Sequence, residues 1–255
     1  MNDTAPESVR ESGGRPYGFW VTLVFLVLIL VAFMLAQSAP LFADLSQSGW
    51  ENVTEAELEA ASFDGWSQSW GTIMGGVRAV LIVLSLVRWR RGMDTISYLA
   101  LHPVGWKPVV FWIVVMFVIM TGLDLLFQAL ELPVIPDFML RIFAGEQSLF
   151  LLVLLFLAVG VAAPVWEEVV FRGFVFESWR RTLLGPFGAI ALSSLIFAVI
   201  HLQYEFYHLV AVFVAGCILG LSRHYTGSLW TPVYIHMFQN IVALVQTLVY
   251  LEFFV

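Results

Sequence analysis

The sequence predicts an all-α membrane protein: a polytopic helical bundle of about seven transmembrane helices, six to eight at the limits, around a polar cavity. Three observations carry that expectation. Of 255 residues, 60% are hydrophobic, and the mean hydropathy is +0.88. Only 12% are charged, about half the share usual in a soluble domain. The apolar residues fall in long runs, most of them near the roughly 20 residues needed to cross a 30 Å hydrocarbon layer.

Taken in order, residues 1–16 are polar and rich in Pro, Gly, Ser and acids, the composition of a disordered tail. Residues 18–36 form the first span. Ala36-Gln37-Ser38 resembles a signal-peptidase site, but the apolar run exceeds a normal signal core, so it reads as an uncleaved helix. The loop 40–66 carries Asp44, Glu51, Glu55, Glu57, Glu59 and Asp64 with no Lys or Arg, which marks it as extracytoplasmic, with room for a short surface helix. The second span covers 70–87 and includes Arg78. Arg88, Arg90, Arg91 and Lys107 cluster after it, which marks a cytoplasmic loop. The third span, 109–130, contains Asp124, which is placed to pair with Arg78 across helices.

A fourth run, 148–163, leads through Pro164 into a charged segment that ends at Arg180-Arg181, again on the basic side. Runs at 187–202, 207–222 and 229–250 complete the set. The chain thus divides into a cytoplasmic tail (1–16), N-terminal transmembrane helices with the acidic loop (17–144) and a functional membrane domain (145–255). The expected location is the plasma membrane, multi-pass, with the amino terminus and the cavity on the cytoplasmic side. Membrane lipid is the expected surrounding partner. The absence of a basic stripe argues against nucleic acid. A single cysteine, Cys217, excludes an intramolecular disulfide and a cysteine metal cluster; it reads as a small buried apolar residue. No internal repeat points to a transporter built on repeats.

The chemistry concentrates in Trp166-Glu167-Glu168-Val169-Val170-Phe171-Arg172-Gly173. Each charge near a bilayer centre costs about 2.5–3.5 kcal/mol unless it is paired or hydrated. On a helix, Glu168 and Arg172 share a face, and Glu167 points about 100° away. One carboxylate can then pair with the arginine while the other faces a cavity, where an apolar setting suits it to general acid or base work. Phe197 and His201 share a helix face, as do His236 and Asn240. The last pair offers two donors suited to a developing oxyanion. Intramembrane ionisable groups normally face one another or water. Glu167, Glu168, Arg172, His201, His236 and Asn240 are therefore the candidate site. Two carboxylates and two histidines can activate a water directly or through a bound metal ion.

Other polar residues have plainer readings. His201, Glu205 and His208 would form a metal cluster only on one continuous helix, and a turn is expected there. His102 and His224 read as loop residues. Trp166 and Trp230 read as interfacial anchors. His-Glu-x-x-His, Gly-x-Ser-x-Gly and a rhomboid-like Gly-x-Ser-Gly are all missing, so zinc site-2 and serine protease chemistry fit worse.

The order Glu167-Glu168-x-x-x-Arg172, Phe197-x-x-x-His201, His236-x-x-x-Asn240 resembles the CPBP family. These are the CaaX protease and bacteriocin-processing intramembrane proteases, also called Abi proteins, and they include Rce1-type prenyl endopeptidases. The resemblance covers about residues 145–250. It implies hydrolysis of a peptide bond in a membrane-associated substrate, such as a prenylated CaaX tail, by an activated water. It implies Glu167 as general base with His201 holding the water, His236 and Asn240 at the oxyanion, and Glu168 and Arg172 setting the geometry. No cofactor is certain. If the family's metalloprotease label applies, Glu167, His201 and His236 would be the zinc ligands; a metal-free glutamate mechanism fits the same residues. Two other readings stand beside this one: a non-catalytic scaffold or bacteriocin-immunity protein using the same cavity, and an ion-coupled carrier with Glu167, Glu168 and Arg172 as a relay.

Overall fold

The computed structural model describes residues 15–48, 53–90, 92, 94–144 and 148–254. Residues 1–14 of the tail, Glu51 of the acidic loop and Arg91 of the basic loop lie outside the described residues. Every regular element described is a helix: α1 (Phe19–Gln37), α2 (Ala39–Ser48), α3 (Glu55–Ser62), α4 (Gly65–Trp89), α5 (Thr95–Leu99), α6 (Trp106–Ala129), α7 (Asp137–Phe143), α8 (Leu149–Trp179), α9 (Gly185–Val199), α10 (Phe206–Thr226) and α11 (Trp230–Phe254). Six stretches are long and apolar enough to cross a membrane, and α9 is a shorter apolar helix. The protein is an integral membrane protein.

The helices start and stop where polar side chains satisfy free backbone groups. Asp64 accepts from the Ser67 amide at the start of α4, and Ser148 does the same for Leu151 at the start of α8. Thr54 and Glu57 form a reciprocal capping box on α3. The bonds from the Thr54 amide and hydroxyl hold the exposed Glu57 carboxyl below the usual carboxylate range. Gly227 adopts a left-handed φ of 66° and ends α10.

Large apolar residues cover the outside, as a lipid-facing surface requires. On α6 only Met116 and Phe127 are buried. Between helices, packing relies on small residues, because lipid is as apolar as Leu and cannot drive helices together. The Gly71-x-x-x-Gly75 face of α4 lies against α1. A Cβ at Gly71 would overlap the Gln37 carbonyl oxygen, and one at Gly75 would sit 2.8 Å from the Phe33 ring. Gly76 serves α8: a Cβ there would be 2.6 Å from the Trp166 ring. Trp166 is in turn stacked on Phe33 at 4.1 Å between centroids. Trp166 is therefore a core residue, 3% exposed, and not an interfacial anchor. Two other helices, α1 and α4, close over it, which adjacency in the chain does not show.

Residues 148–163 lead through Pro164 into the charged segment as the single 31-residue helix α8. Two further expectations are corrected. Asp124 meets Gln246 Nε2 at 3.4 Å rather than Arg78, and Arg78 makes no ion pair among the described residues. His224 lies in the last turn of α10, packed on Phe187, because the helix continues to Thr226. The acidic loop holds two short helices, α2 and α3. It is tied to α7 through Glu59 and Arg141 at 2.6 Å, with the Arg141 guanidinium 3.6 Å from the centre of the Phe63 ring.

At 15 residues, α9 is about 22 Å long, short of a 30 Å hydrocarbon layer. The turn carrying His201 and Tyr204 follows it directly. The expected turn between His201 and His208 is present.

The close approach of α1 to α4 yields a test. Gly71→Ala should destabilise the protein by about 1–3 kcal/mol, because the obstructing atom is backbone and cannot rotate away. Gly122→Ala on α6, where a Cβ meets nothing within 4 Å, should leave the thermal midpoint in detergent unchanged. Equal midpoints for the two variants would refute the packing argument.

Candidate active site

The site is assembled on α8, and α8 is not a regular helix. It contains two wider π turns, Ala158–Ala162 and Val169–Val175. The first precedes Pro164, whose missing N–H and bulky ring disturb the turn before it. It frees the Val159 carbonyl, which accepts a hydrogen bond from Asn240 Nδ2 at 2.8 Å. The second begins directly after Glu168. Such turns recur at functional sites because they re-aim side chains.

Glu168 and Arg172 are both fully buried. Arg172 Nη1 donates to Glu168 Oε1 at 3.0 Å, and Nη2 donates to the Gly216 carbonyl of α10 at 2.9 Å. The guanidinium also sits 4.6 Å from the centre of the Phe197 ring of α9. His236 Nδ1, on α11, meets the same Glu168 oxygen at 2.9 Å. Two charges removed from water survive only with such geometry. Gly216 permits it, since a Cβ there would lie 3.2 Å from Arg172 Nη2.

Glu167 points to a different sector, as helix geometry requires, and makes no direct hydrogen bond among the described residues. Its Oε2 lies 3.6 Å from His236 Nε2, just beyond hydrogen-bond range. With Nδ1–H committed to Glu168, neutral His236 presents a lone pair at Nε2. A proton on Glu167 or on His236 can therefore serve both groups. His201 Nδ1–H donates to the Phe197 carbonyl at 2.7 Å, which leaves its Nε2 as an acceptor. The Phe197 ring lies 4.9 Å from His201 and 5.8 Å from His236, so it forms the apolar floor between the two imidazoles.

Five of the six sequence-derived candidates are linked directly or through Phe197 into one cluster. Asn240 is placed on its margin. The two donors expected to point together are both engaged by α8, His236 by Glu168 and Asn240 by Val159. Among the described residues, no three His, Cys, Asp or Glu side chains are grouped to hold a metal ion. Glu167 and His236 approach each other, but His201 does not complete a three-ligand set with them. Outside the cluster, His208 pairs with Glu205 at 2.8 Å and reaches the Val134 carbonyl, a structural link between α10 and the loop before α7.

Sequence reasoning missed Tyr204 and Gly216. The Tyr204 ring lies 5.8 Å from His201. Tyr204 also borders a cavity of about 370 Å³ with Phe63, Phe138, Arg141, Gln203 and Glu205. A tyrosine in a turn carries no periodic signal, and a glycine's use as a carbonyl acceptor is invisible until the helices meet.

Comparison with known proteins places these residues in a family. Residues 149–242 match the model described as type II CAAX prenyl endopeptidase Rce1-like. The chain is 32% identical over 171 residues to an uncharacterised 24.3 kDa protein of Escherichia coli, covering 66% of this chain and 75% of the relative. It is 34% identical over 87 residues to the membrane-embedded CAAX protease MroQ of Staphylococcus aureus (strain USA300), covering 32% of this chain and 34% of that protein. No solved structure matches. The matched region contains all three motifs and every member of the buried cluster, and the chain belongs to the CPBP family of intramembrane proteases, that of the Rce1-like CAAX prenyl endopeptidases.

Proposed function

We propose that the protein is an intramembrane endopeptidase that hydrolyses a peptide bond of a membrane-associated substrate with a water activated by Glu167. The observation that carries this reading is the inequality of the two adjacent carboxylates. Glu168 is held by Arg172 and His236, while Glu167 has no direct hydrogen-bond partner among the described residues and faces His236 Nε2 beside His201. A water between Glu167 and His201 Nε2 would give up its proton to Glu167 as its oxygen bonds to the scissile carbonyl carbon. His236, protonated and backed by ionised Glu168, would donate Nε2–H to the oxyanion. Transfer of the proton from Glu167 to the departing nitrogen then breaks the C–N bond. Asn240 joins the oxyanion only if it exchanges its bond to Val159. The donor set does not fit a three-ligand metal site, and no step runs through a metal.

The amino terminus is assigned to the cytoplasmic side from the arginines at 88–91 and 180–181 and from Lys107. The cavity beside Tyr204 sits at the other end, with the acidic helices. On this assignment that cavity opens extracytoplasmically; none of the six candidate site residues lines it, and the catalytic cluster keeps the cytoplasmic access expected from the sequence. The prenylated CaaX class, named for the relatives, is the first substrate to test.

Two experiments follow. With a farnesylated CaaX reporter and a panel of unmodified membrane peptides, Glu167→Gln should lower cleavage by about 10²–10⁴-fold and keep the wild-type thermal midpoint. Arg172→Met should lose both, by about 3–5 kcal/mol in stability, because it strands a buried carboxylate. Full activity in Glu167→Gln would sink the assignment, and binding without cleavage by the unaltered protein would favour the scaffold reading. For orientation, Gln203→Cys and Gly105→Cys, each in a Cys217→Ser background, should respond oppositely to a membrane-impermeant maleimide on whole cells. Gln203→Cys should label and Gly105→Cys should not; the opposite pattern would invert the assigned orientation.

A further inference from the structure

A second polar cluster lies about ten residues further along α8, at the arginine-rich end. Glu177 is 2% exposed and receives Arg180 through Nε at 2.7 Å and Nη2 at 2.9 Å. It also receives Arg181 through Nε at 3.0 Å and Nη2 at 2.7 Å. Arg223 of α10 approaches the same carboxylate at 3.5 Å. Three guanidinium groups thus share one carboxylate, leaving two formal positive charges in excess. The C-terminal ends of α8 and α10 meet here, and their dipoles offset about half a charge each. One positive charge still has no counterpart among the described residues.

Two further observations point to a ligand. Arg223 is 4% exposed, and its Nε has no hydrogen-bond partner among the described residues, an expensive state for a buried charged group. Beside it is a cavity of about 210 Å³, lined by Ser97, His102, Arg180, Arg181, Arg223 and His224 among others. Its lining presents charged donors, and Glu177 is already occupied. That chemistry suits a tetrahedral oxyanion, which guanidinium groups bind with paired hydrogen bonds.

We infer that this cavity binds the phosphate of an anionic lipid headgroup. The lipid source is favoured by the neighbouring surface: Leu183 is fully exposed, and Phe187, 60% exposed, packs on His224. Acyl chains can lie on these residues while the phosphate occupies the basic cavity, the arrangement by which basic pockets between membrane helices hold headgroups. The site is separate from Glu167, about 15 Å along α8, and does not depend on the proposed hydrolysis.

The test uses purified full-length protein in nanodiscs. Phosphatidylglycerol added to phosphatidylcholine should raise the thermal midpoint and remain bound in native mass spectrometry, and the effect should weaken with salt. Arg180→Gln/Arg181→Gln should weaken retention about fivefold for each arginine removed. Arg181→Gln alone, at a half-exposed side chain, serves if the double variant does not fold. Inorganic phosphate in neutral nanodiscs is the competing probe. Stabilisation by phosphate equal to that by phosphatidylglycerol would overturn the lipid source. Equal phosphatidylglycerol retention by wild type and Arg181→Gln would overturn the site.

Discussion

Glu168 Oε1 is the atom on which the membrane domain turns. It accepts from Arg172 and from His236, and Arg172 reaches on to the Gly216 carbonyl. One buried carboxylate therefore ties α8 to α10 and α11, and the guanidinium stacks over Phe197 of α9. In hydrocarbon nothing else stabilises these charges, so each holds the others in place. The same pairing fixes the His236 tautomer and hence what its Nε2 presents to Glu167. The ion pair and the histidine are here one arrangement, so the residues that tie the helices together also orient the His236 ring.

The irregularities of α8 follow from the same constraint. A straight helix would keep Pro164 in conflict with the preceding turn and the Val159 carbonyl in its own helix. The π turn relieves the first and gives the second to Asn240. Close packing by Gly71, Gly75 and Gly76 brings α1, α4 and α8 within reach of one another. Trp166, one residue before Glu167, is clamped between Phe33 and Gly76, so the carboxylate stands on a rigid backbone.

Charge is segregated along the bundle axis. The arginines around Glu177 occupy one end, the acidic helices the other, and the Glu167 cluster lies between. The turn after the 15-residue α9 carries His201 and Tyr204 beside it.

Composition and apolar run length determined the all-α membrane class, because a chain in lipid must satisfy its backbone within helices. The i, i+4 spacing determined that Glu168 meets Arg172 and that Glu167 does not, because 3.6 residues per turn leaves no other choice. The motif order carried the family. What lay beyond the sequence were the contacts between helices. Trp166 reads as an interfacial anchor until α1 and α4 close over it. Asp124 chooses Gln246 over Arg78, His236 and Asn240 spend their donors on α8, and three arginines gather on Glu177. Those outcomes depend on which faces meet and at what depth, and one-dimensional periodicity reports which residues share a face but not what that face meets.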